Sequence, residues 1–225
     1  DIHSANPTIA SSKNNNCTML LVRDSSNKIK LISSGYNQFG QLGHNGDVQT
    51  TNFDEVDLSN LGTNQITHVC GTGGNERTFF ALDNFSKLYS WGSNSFGTLG
   101  QGIAPSLNVF DQPTIISYFV SNSILISKIR TSKNSAYAID TNNKLYVWGG
   151  NEAGQLGLGS IVTRFEEPQY VADDVADVFT TPYDNEIVFL LMTDGTLRSS
   201  GNVANGAVGQ GISVGDSILT FTDIT

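Results

Sequence analysis

The sequence is poor in basic residues, in cysteine and histidine, and in long apolar runs, and each shortage excludes a class of function. Twelve Lys and Arg stand against 21 Asp and Glu, which gives a formal net charge of −9. Because nucleic-acid affinity rests largely on basic contacts to phosphate, no binding of DNA or RNA is expected. No apolar run approaches the roughly 18 residues of a membrane span. We therefore expect a soluble chain without membrane insertion, in a compartment that the sequence does not identify.

Cysteine and histidine are also too scattered to predict a metal or redox centre. Cys17 and Cys70 allow one disulfide or two buried thiols, and we favour the thiols. A zinc site needs three or four converging ligands, and no Cys-x-x-Cys motif occurs. The histidines, which follow no metal-ligand spacing, are His3, His44 and His68. The sequence predicts no metal, no cofactor and no catalytic residue.

What the sequence does contain is a glycine cluster that recurs four times, as SGYNQFGQLGHNG, WGSNSFGTLGQG, WGGNEAGQLGLG and SGNVANGAVGQG. Successive copies lie 57, 57 and 52 residues apart, and such a period indicates a repeat architecture. No copy carries the Gly-Lys-Ser/Thr ending of a phosphate loop. A structural role is therefore expected, at positions of positive φ or close backbone approach. The repeat glycines are Gly35, Gly92, Gly149 and Gly201; Gly40, Gly97, Gly154 and Gly206; and Gly43, Gly100, Gly157 and Gly209.

Each glycine cluster follows two apolar segments joined by a polar turn, which is the pattern of a β-hairpin. A further short segment of β-like composition precedes each hairpin, at 1–5, 65–70, 125–130 and 175–180, and connecting stretches such as 53–62 and 112–122 can supply a fourth strand. The Ser/Asn-rich stretch 11–16 is expected to be a loop. Four short strands in each unit and little helix predict an all-β propeller, with four blades of four antiparallel strands. We expect a single propeller domain or part of one, with approximate blades 1–64, 65–124, 125–173 and 174–225.

The repeat resembles that of the regulator of chromosome condensation family. The third copy, LYVWGGNEAGQLGLG at 145–159, carries the whole family motif. The family usually places a His a few residues before the Ala-Leu of the first hairpin strand, but the equivalent positions near Thr78, Ser135 and Ile187 carry none, so the chain resembles a divergent member or a fragment. The resemblance implies a ring of typically seven blades. Four units then imply a piece of a longer protein, which we favour over a four-bladed ring or arc and over a ring completed by other chains.

Trp91 and Trp148 precede the first glycine of their clusters, where Ser34 and Ser200 stand in the other copies. Aromatic residues at a repeat position are expected to pack in the core or between blades rather than to bind a ligand. The acidic pairs are Asp54–Glu55, Glu166–Glu167 and Asp173–Asp174. We place them in the connections between blades. Adjacent residues on a strand point to opposite faces, so such pairs are poor acid–base couples.

The family resemblance implies functions of several classes, from exchange factors and chromatin binders to parts of ubiquitin ligases, and the fold alone does not choose among them. With no catalytic constellation, the sequence predicts a non-enzymatic interaction or scaffold module whose loops bind a protein partner or a larger assembly. The acidic charge favours a partner with a basic surface. The alternative is a guanine-nucleotide exchange factor for a small GTPase. The family's exchange factors use a projecting hairpin, and no extra hairpin is apparent between the units.

Overall fold

The computed structural model describes residues 9–12, 17–73, 77–102, 110–181, 186–203, 206–211 and 217–224. Their strands form four antiparallel sheets, each with four strands in chain order. The strands of the first two sheets are β1 (Ile9–Ser12), β2 (Cys17–Arg23), β3 (Ile29–Gly35) and β4 (Thr50–Glu55), then β5 (Ile66–Gly71), β6 (Thr78–Asp83), β7 (Leu88–Gly92) and β8 (Phe110–Ile115). Those of the last two are β9 (Ile126–Thr131), β10 (Ser135–Asp140), β11 (Leu145–Gly150) and β12 (Arg164–Ala172), then β13 (Val175–Thr180), β14 (Ile187–Met192), β15 (Leu197–Gly201) and β16 (Ile218–Asp223).

Among the described residues, the two complete helical elements are α1 (Ser117–Ser121) and one 3-10 turn (Ser59–Leu61). Both lie in links between the fourth strand of one sheet and the first strand of the next. The prediction of an all-β chain with four four-stranded blades is therefore confirmed. None of the described helices is long and apolar enough to cross a membrane.

The hairpin turn between the second and third strands of each blade is built by one repeated device. In the first three blades the aspartate that ends or follows the second strand accepts two backbone N–H bonds through one carboxylate oxygen; Asp83 Oδ1, for example, accepts from Phe85 N at 2.8 Å and Lys87 N at 2.9 Å. The turn also needs a residue with positive φ, since the chain must reverse tightly. Those residues are Asn27, Ser86, Asn143 and Gly195.

The core lies in three layers between neighbouring sheets, as expected when blades pack face to face. The first layer joins Met19 and Leu31 to Phe79 and Trp91. The second joins Phe80 of the second sheet to Trp148 of the third. In the third layer, Tyr137 and Leu145 are among the residues that pack against the fourth sheet, at Val175 and Val188. The first strands of successive sheets also contact one another, so they form the inner edge of the array.

Two details of the predicted elements were wrong. The stretch 11–16 was expected to be a loop, yet Ser11 and Ser12 belong to β1, which pairs with β2 from Ile9↔Leu20 to Ser12↔Cys17. Ladder pairing uses backbone groups, so a polar edge strand can form without a β-like composition; the predicted strand at 1–5 lies outside the described residues. The stretch 112–122 was expected to supply a fourth strand; its first residues do so, since they end β8, and α1 follows in the same stretch.

The second error concerns two of the acidic pairs, which lie in strands rather than in connections between blades. Asp54 and Glu55 end β4, and Glu166 and Glu167 lie inside β12. Both are fourth strands, whose outer edge is solvated, so charged side chains fit there without a cost of burial. Asp173 and Asp174 do form the link between the third and fourth sheets.

Candidate functional site

All twelve repeat glycines have positive φ, between 66° at Gly40 and 113° at Gly35. In the last three clusters the first glycine also faces the backbone just before the second strand: a Cβ on Gly149 would lie 2.5 Å from the carbonyl oxygen of Asn134. In the first three clusters the third glycine faces the next blade instead; a Cβ on Gly100 would lie 2.7 Å from Trp148 Nε1. The glycines thus stand where the chain turns and where blades meet. That they bind no ligand stays a prediction.

The two tryptophans carry a repeated hydrogen bond between blades. Trp91 Nε1 donates to the carbonyl oxygen of Gln41 at 3.1 Å, and Trp148 Nε1 donates to that of Thr98 at 2.8 Å. At the third junction the serine that replaces tryptophan does the same, since Ser200 Oγ donates to the carbonyl oxygen of Gln155 at 3.1 Å. Both indoles are fully buried, at 0% exposure. The second, third and fourth blades thus each bind the glycine loop of the blade before them.

Asparagine and serine residues that the sequence analysis did not single out fix the shape of the glycine loops. Asn37 Oδ1 accepts from Leu42 N at 2.8 Å, and Asn151 Oδ1 accepts from Leu156 N at 3.0 Å. Ser90 Oγ donates to the carbonyl oxygen of Leu99 at 2.7 Å. The available signal was their recurrence in fixed columns beside the glycines. These bonds make each loop a rigid platform.

The described parts of these loops, 36–49, 93–102, 151–163 and 206–211, follow the third strand of each blade and so share one end of the array, which we call the loop face. Val48 and Ile161 project from it with 78% and 64% of their surfaces exposed. The guanidinium carbon of Arg77 lies 4.4 Å from the ring centroid of Phe39 and holds that ring at the same end. Exposed apolar side chains on rigid loops are well placed to contact the surface of a partner protein.

Charged residues also line the inner edge of the array. Arg130 NH2 donates to Asp177 Oδ2 at 3.1 Å, and Lys128 Nζ lies 3.5 Å from the same oxygen, so two cations of β9 share one carboxylate of β13. On β5, burial, and secondly the charge of Arg130, lower the pKa of His68. Burial raises the pKa of the neighbouring Cys70 to about 12. That thiol therefore stays protonated and is a poor nucleophile.

The described residues contain no group of three or more His, Cys, Asp or Glu side chains that could hold a metal ion. His44 shares a hydrogen bond of 2.8 Å with Ser33 Oγ, His68 lies on the inner edge, and His3 lies outside the described residues. No disulfide joins Cys17 to Cys70.

A Gly-x-Ser-x-Gly pattern that the sequence analysis missed occurs at 211–215, but 212–216 also lie outside the described residues. Such a motif indicates a nucleophile only between a strand and a helix, and here it connects two strands.

Comparison with known proteins agrees with the repeat geometry. Residues 142–180 match the family model of the regulator of chromosome condensation (RCC1) repeat. The chain is 29% identical over 134 residues to the ultraviolet-B receptor UVR8 of Arabidopsis thaliana, which covers 60% of this chain and 28% of the receptor. It is 30% identical over 140 residues to the human X-linked retinitis pigmentosa GTPase regulator, which covers 59% of this chain and 12% of that protein.

Among solved structures, Prp20p from Saccharomyces cerevisiae superposes with a TM-score of 0.75 at 17% identity, over 99% of this chain and 52% of that one. These matches confirm the resemblance of the repeats and the propeller fold. The chain spans 28% of the ultraviolet-B receptor, 12% of the GTPase regulator and about half of the solved structure. The activities of those whole proteins therefore do not follow from the likeness.

Proposed function

We propose that this divergent propeller of the regulator of chromosome condensation type is a non-enzymatic module that binds a protein partner through its loop face. The observation that supports the proposal most is that different residues of the glycine loops form the scaffold and the exposed surface. Their glycines, asparagines and buried Trp contacts build the scaffold, while Val48, Ile161 and Val162 stand exposed on it. Loops of variable sequence on a rigid scaffold are a common site of binding.

The partner is proposed to have a basic surface. The chain carries a net charge of −9, and Glu166 and Glu167 lie on β12 beside the glycine loop of the second blade, where Gly102 N donates to the carbonyl oxygen of Glu166 at 2.9 Å. Charge of one sign accelerates the approach of an oppositely charged protein, and salt screens that effect. Association should therefore slow as the ionic strength rises.

The test is a pull-down from native extract with the full chain and with an Ile161→Asp/Val162→Asp variant. Both residues are exposed, so the variant should keep its melting temperature and lose the partner. Phe53→Asp, at an exposed position on β4 away from the loop face, is the matched control and should keep it. If both variants retain the partner, the loop face is not the binding surface. Association rates measured with the captured partner at low and high salt test whether the partner has a basic surface. An association rate that does not change with salt concentration would exclude such a surface.

A guanine-nucleotide exchange factor is the second candidate. It is favoured by the relative named as a GTPase regulator and by the fold shared with Prp20p, a protein studied for its binding to Gsp1p and histones. Exchange needs no covalent chemistry, only tighter binding to the nucleotide-free GTPase. Release of a fluorescent guanine nucleotide from a panel of small GTPases decides between the two. Acceleration of release from any GTPase of the panel would place exchange above simple binding.

A further inference from the structure

The opposite end of the array, which carries the hairpin turns and the links between blades, holds a feature that the proposed function does not use. The links 56–65 and 116–125 are equal in length and begin alike, because Val56 N donates to the carbonyl oxygen of Leu31 and Ile116 N to that of Leu88, each at 2.9 Å. Counting from these residues, the first link has Leu58 and Ser59 where the second has Tyr118 and Phe119. The two links therefore fill their junctions differently.

The second junction is packed with aromatic rings. Phe119 lies 5.6 Å from Tyr146 and 5.8 Å from Trp148 between ring centroids, and Tyr118 lies 6.3 Å from Tyr146. In the first junction a cavity of about 470 Å³ opens beside Leu58 and Ser59. That volume lies within the usual range of ligand pockets. The first link buries Leu61 where the second buries the larger ring of Phe119, so the first link places no aromatic side chain in its junction.

The lining of the cavity is amphipathic. Leu31, Val56 and Ile66 are its buried members, whereas Lys28 and Gln65 are exposed. Apolar groups beside polar and charged ones can anchor one amphipathic side chain of a partner.

The rim also carries a cation that is available to a ligand. Lys30 Nζ pairs with Glu55 Oε1 at 3.1 Å. Lys28 forms no ion pair with any carboxylate in the described part of the chain, while its backbone N–H is fixed by Asp24 Oδ1 at 3.0 Å. A carboxylate next to an inserted ring would therefore find Lys28 at the mouth of the cavity.

An exposed apolar ridge adjoins the cavity and favours a chain over a small molecule. Gln65 on the rim exchanges two hydrogen bonds of 2.9 Å with Asn84, and the next residue, Phe85, is 57% exposed. Ser86 in turn accepts from Ile126 N at 2.8 Å, beside exposed Leu125. Val120, on α1 in the same link as Leu125, is exposed as well. We call the cavity and this ridge together the junction groove.

We propose that the junction groove binds an extended segment of a partner protein, which inserts an aromatic side chain into the cavity and sets an Asp or Glu carboxylate against Lys28. Apolar residues further along the segment then cover Phe85, Val120 and Leu125. This site lies at the other end of the blades from the loop face and does not depend on the function proposed for that face.

The experiment uses a display library of random twelve-residue peptides, selected on the immobilised full chain. Enriched peptides should share an aromatic residue near an acidic one. Ser59→Phe, which places a ring beside the cavity from the chain's own side, should weaken their binding at least tenfold and keep or raise the melting temperature. Ser117→Phe makes the same exchange at an exposed position of α1 and should leave binding unchanged.

Lys28→Gln provides an independent variant, because an exposed side chain can be exchanged without loss of fold. It should weaken the acidic peptides several-fold and leave versions with Gln or Asn in place of the acid unaffected. Enrichment without an aromatic–acidic pattern, or equal binding to the Ser59→Phe variant, would overturn the proposal. So would a dimer in sedimentation that Ser59→Phe dissolves, since a second copy would then be the occupant. The loop-face variant Ile161→Asp/Val162→Asp should bind the peptides normally, which separates this site from the proposed function.

Discussion

Gly149 and Gly195 share a left-handed backbone, with φ of 92° and 87°, but differ in their surroundings. A Cβ on Gly149 would press on the carbonyl oxygen of Asn134 at 2.5 Å, whereas a Cβ on Gly195 meets no atom within 4 Å. At Gly149 a side chain is disfavoured both by the left-handed backbone and by the lack of space. At Gly195 it is disfavoured by the left-handed backbone alone. The repeat column therefore requires glycine more strictly than the hairpin turn does.

Gly149→Ala is expected to cost more than about 3 kcal/mol of unfolding free energy, at the upper end of single substitutions. Gly195→Ala is the matched control and should cost about 1–2 kcal/mol for its left-handed backbone. Urea unfolding of both variants measures the difference. Equal losses would mean that the contact with Asn134 relaxes freely. A loss of partner binding without a loss of stability would point to a ligand role for the glycine.

His68 predicts a pH dependence of stability. Its folded pKa lies below the ordinary value of 6.5, so near and below that value the unfolded state binds more protons than the folded state. Stability should therefore fall as the pH drops from about 7.5 to 5.5, where histidine titrates. His68→Gln should flatten the decline in melting temperature over that interval. A decline that is as steep in the variant would assign the effect to other groups.

At the scale of the structural element, the buried hydrogen bond of the indole determines how firmly one blade holds the next. Trp148→Phe removes the donor to the carbonyl oxygen of Thr98 and leaves a smaller ring in a fully buried position. We expect a loss of about 2 kcal/mol or more, from an unpaired buried acceptor together with a cavity. Tyr170→Phe is the control, because the hydroxyl it removes bonds Asp173 at an exposed position, and it should change stability by less than about 0.5 kcal/mol. Thermal or urea unfolding measures both losses of stability. Similar losses in the two variants would mean that the indole hydrogen bond does not contribute more than an exposed one.

The elements could be predicted from the sequence where local composition and the repeat agreed. Hairpins ending at Gly92 and Gly149 were recovered because alternating apolar residues and a turn-forming aspartate act locally. The strand β1 was missed, since its pairing with β2 uses backbone groups that composition does not reveal. The helix α1 was missed because Phe119 is held by Tyr146 and Trp148 of the next blade, contacts that a local pattern cannot show.

The candidate surfaces were predicted less well than the fold. The sequence indicated that loops would carry binding, but the exposure of Val48 and Ile161 depends on how the blades bring the loops to one end. The cavity beside Ser59 arises from a difference between two links of equal length. That difference matters only when both links are placed between blades. Such sites depend on tertiary arrangement, which repeat spacing alone does not determine.

At the scale of the whole molecule, a propeller shares its core between neighbouring blades rather than enclosing it in each. In repeat architectures stability is roughly a sum of terms within each unit and terms between neighbours. The second and third sheets are each packed between two of the three large core layers. The fourth sheet meets one of those layers and, on its other side, a small cluster of Ile187, Val203 and Val208. The middle blades should therefore open least often.

Native-state hydrogen exchange tests this expectation, because amides that open only with global unfolding exchange slowest. The slowest amides of the full chain should lie in β6, β7, β10 and β11, and those of β15 and β16 should exchange faster through local opening. Trp148→Phe should accelerate exchange in β6, β7, β10 and β11 together, since it weakens the layer that these strands share, and should change β15 and β16 little. Uniform protection across all four sheets would instead mean that the blades unfold as one cooperative unit.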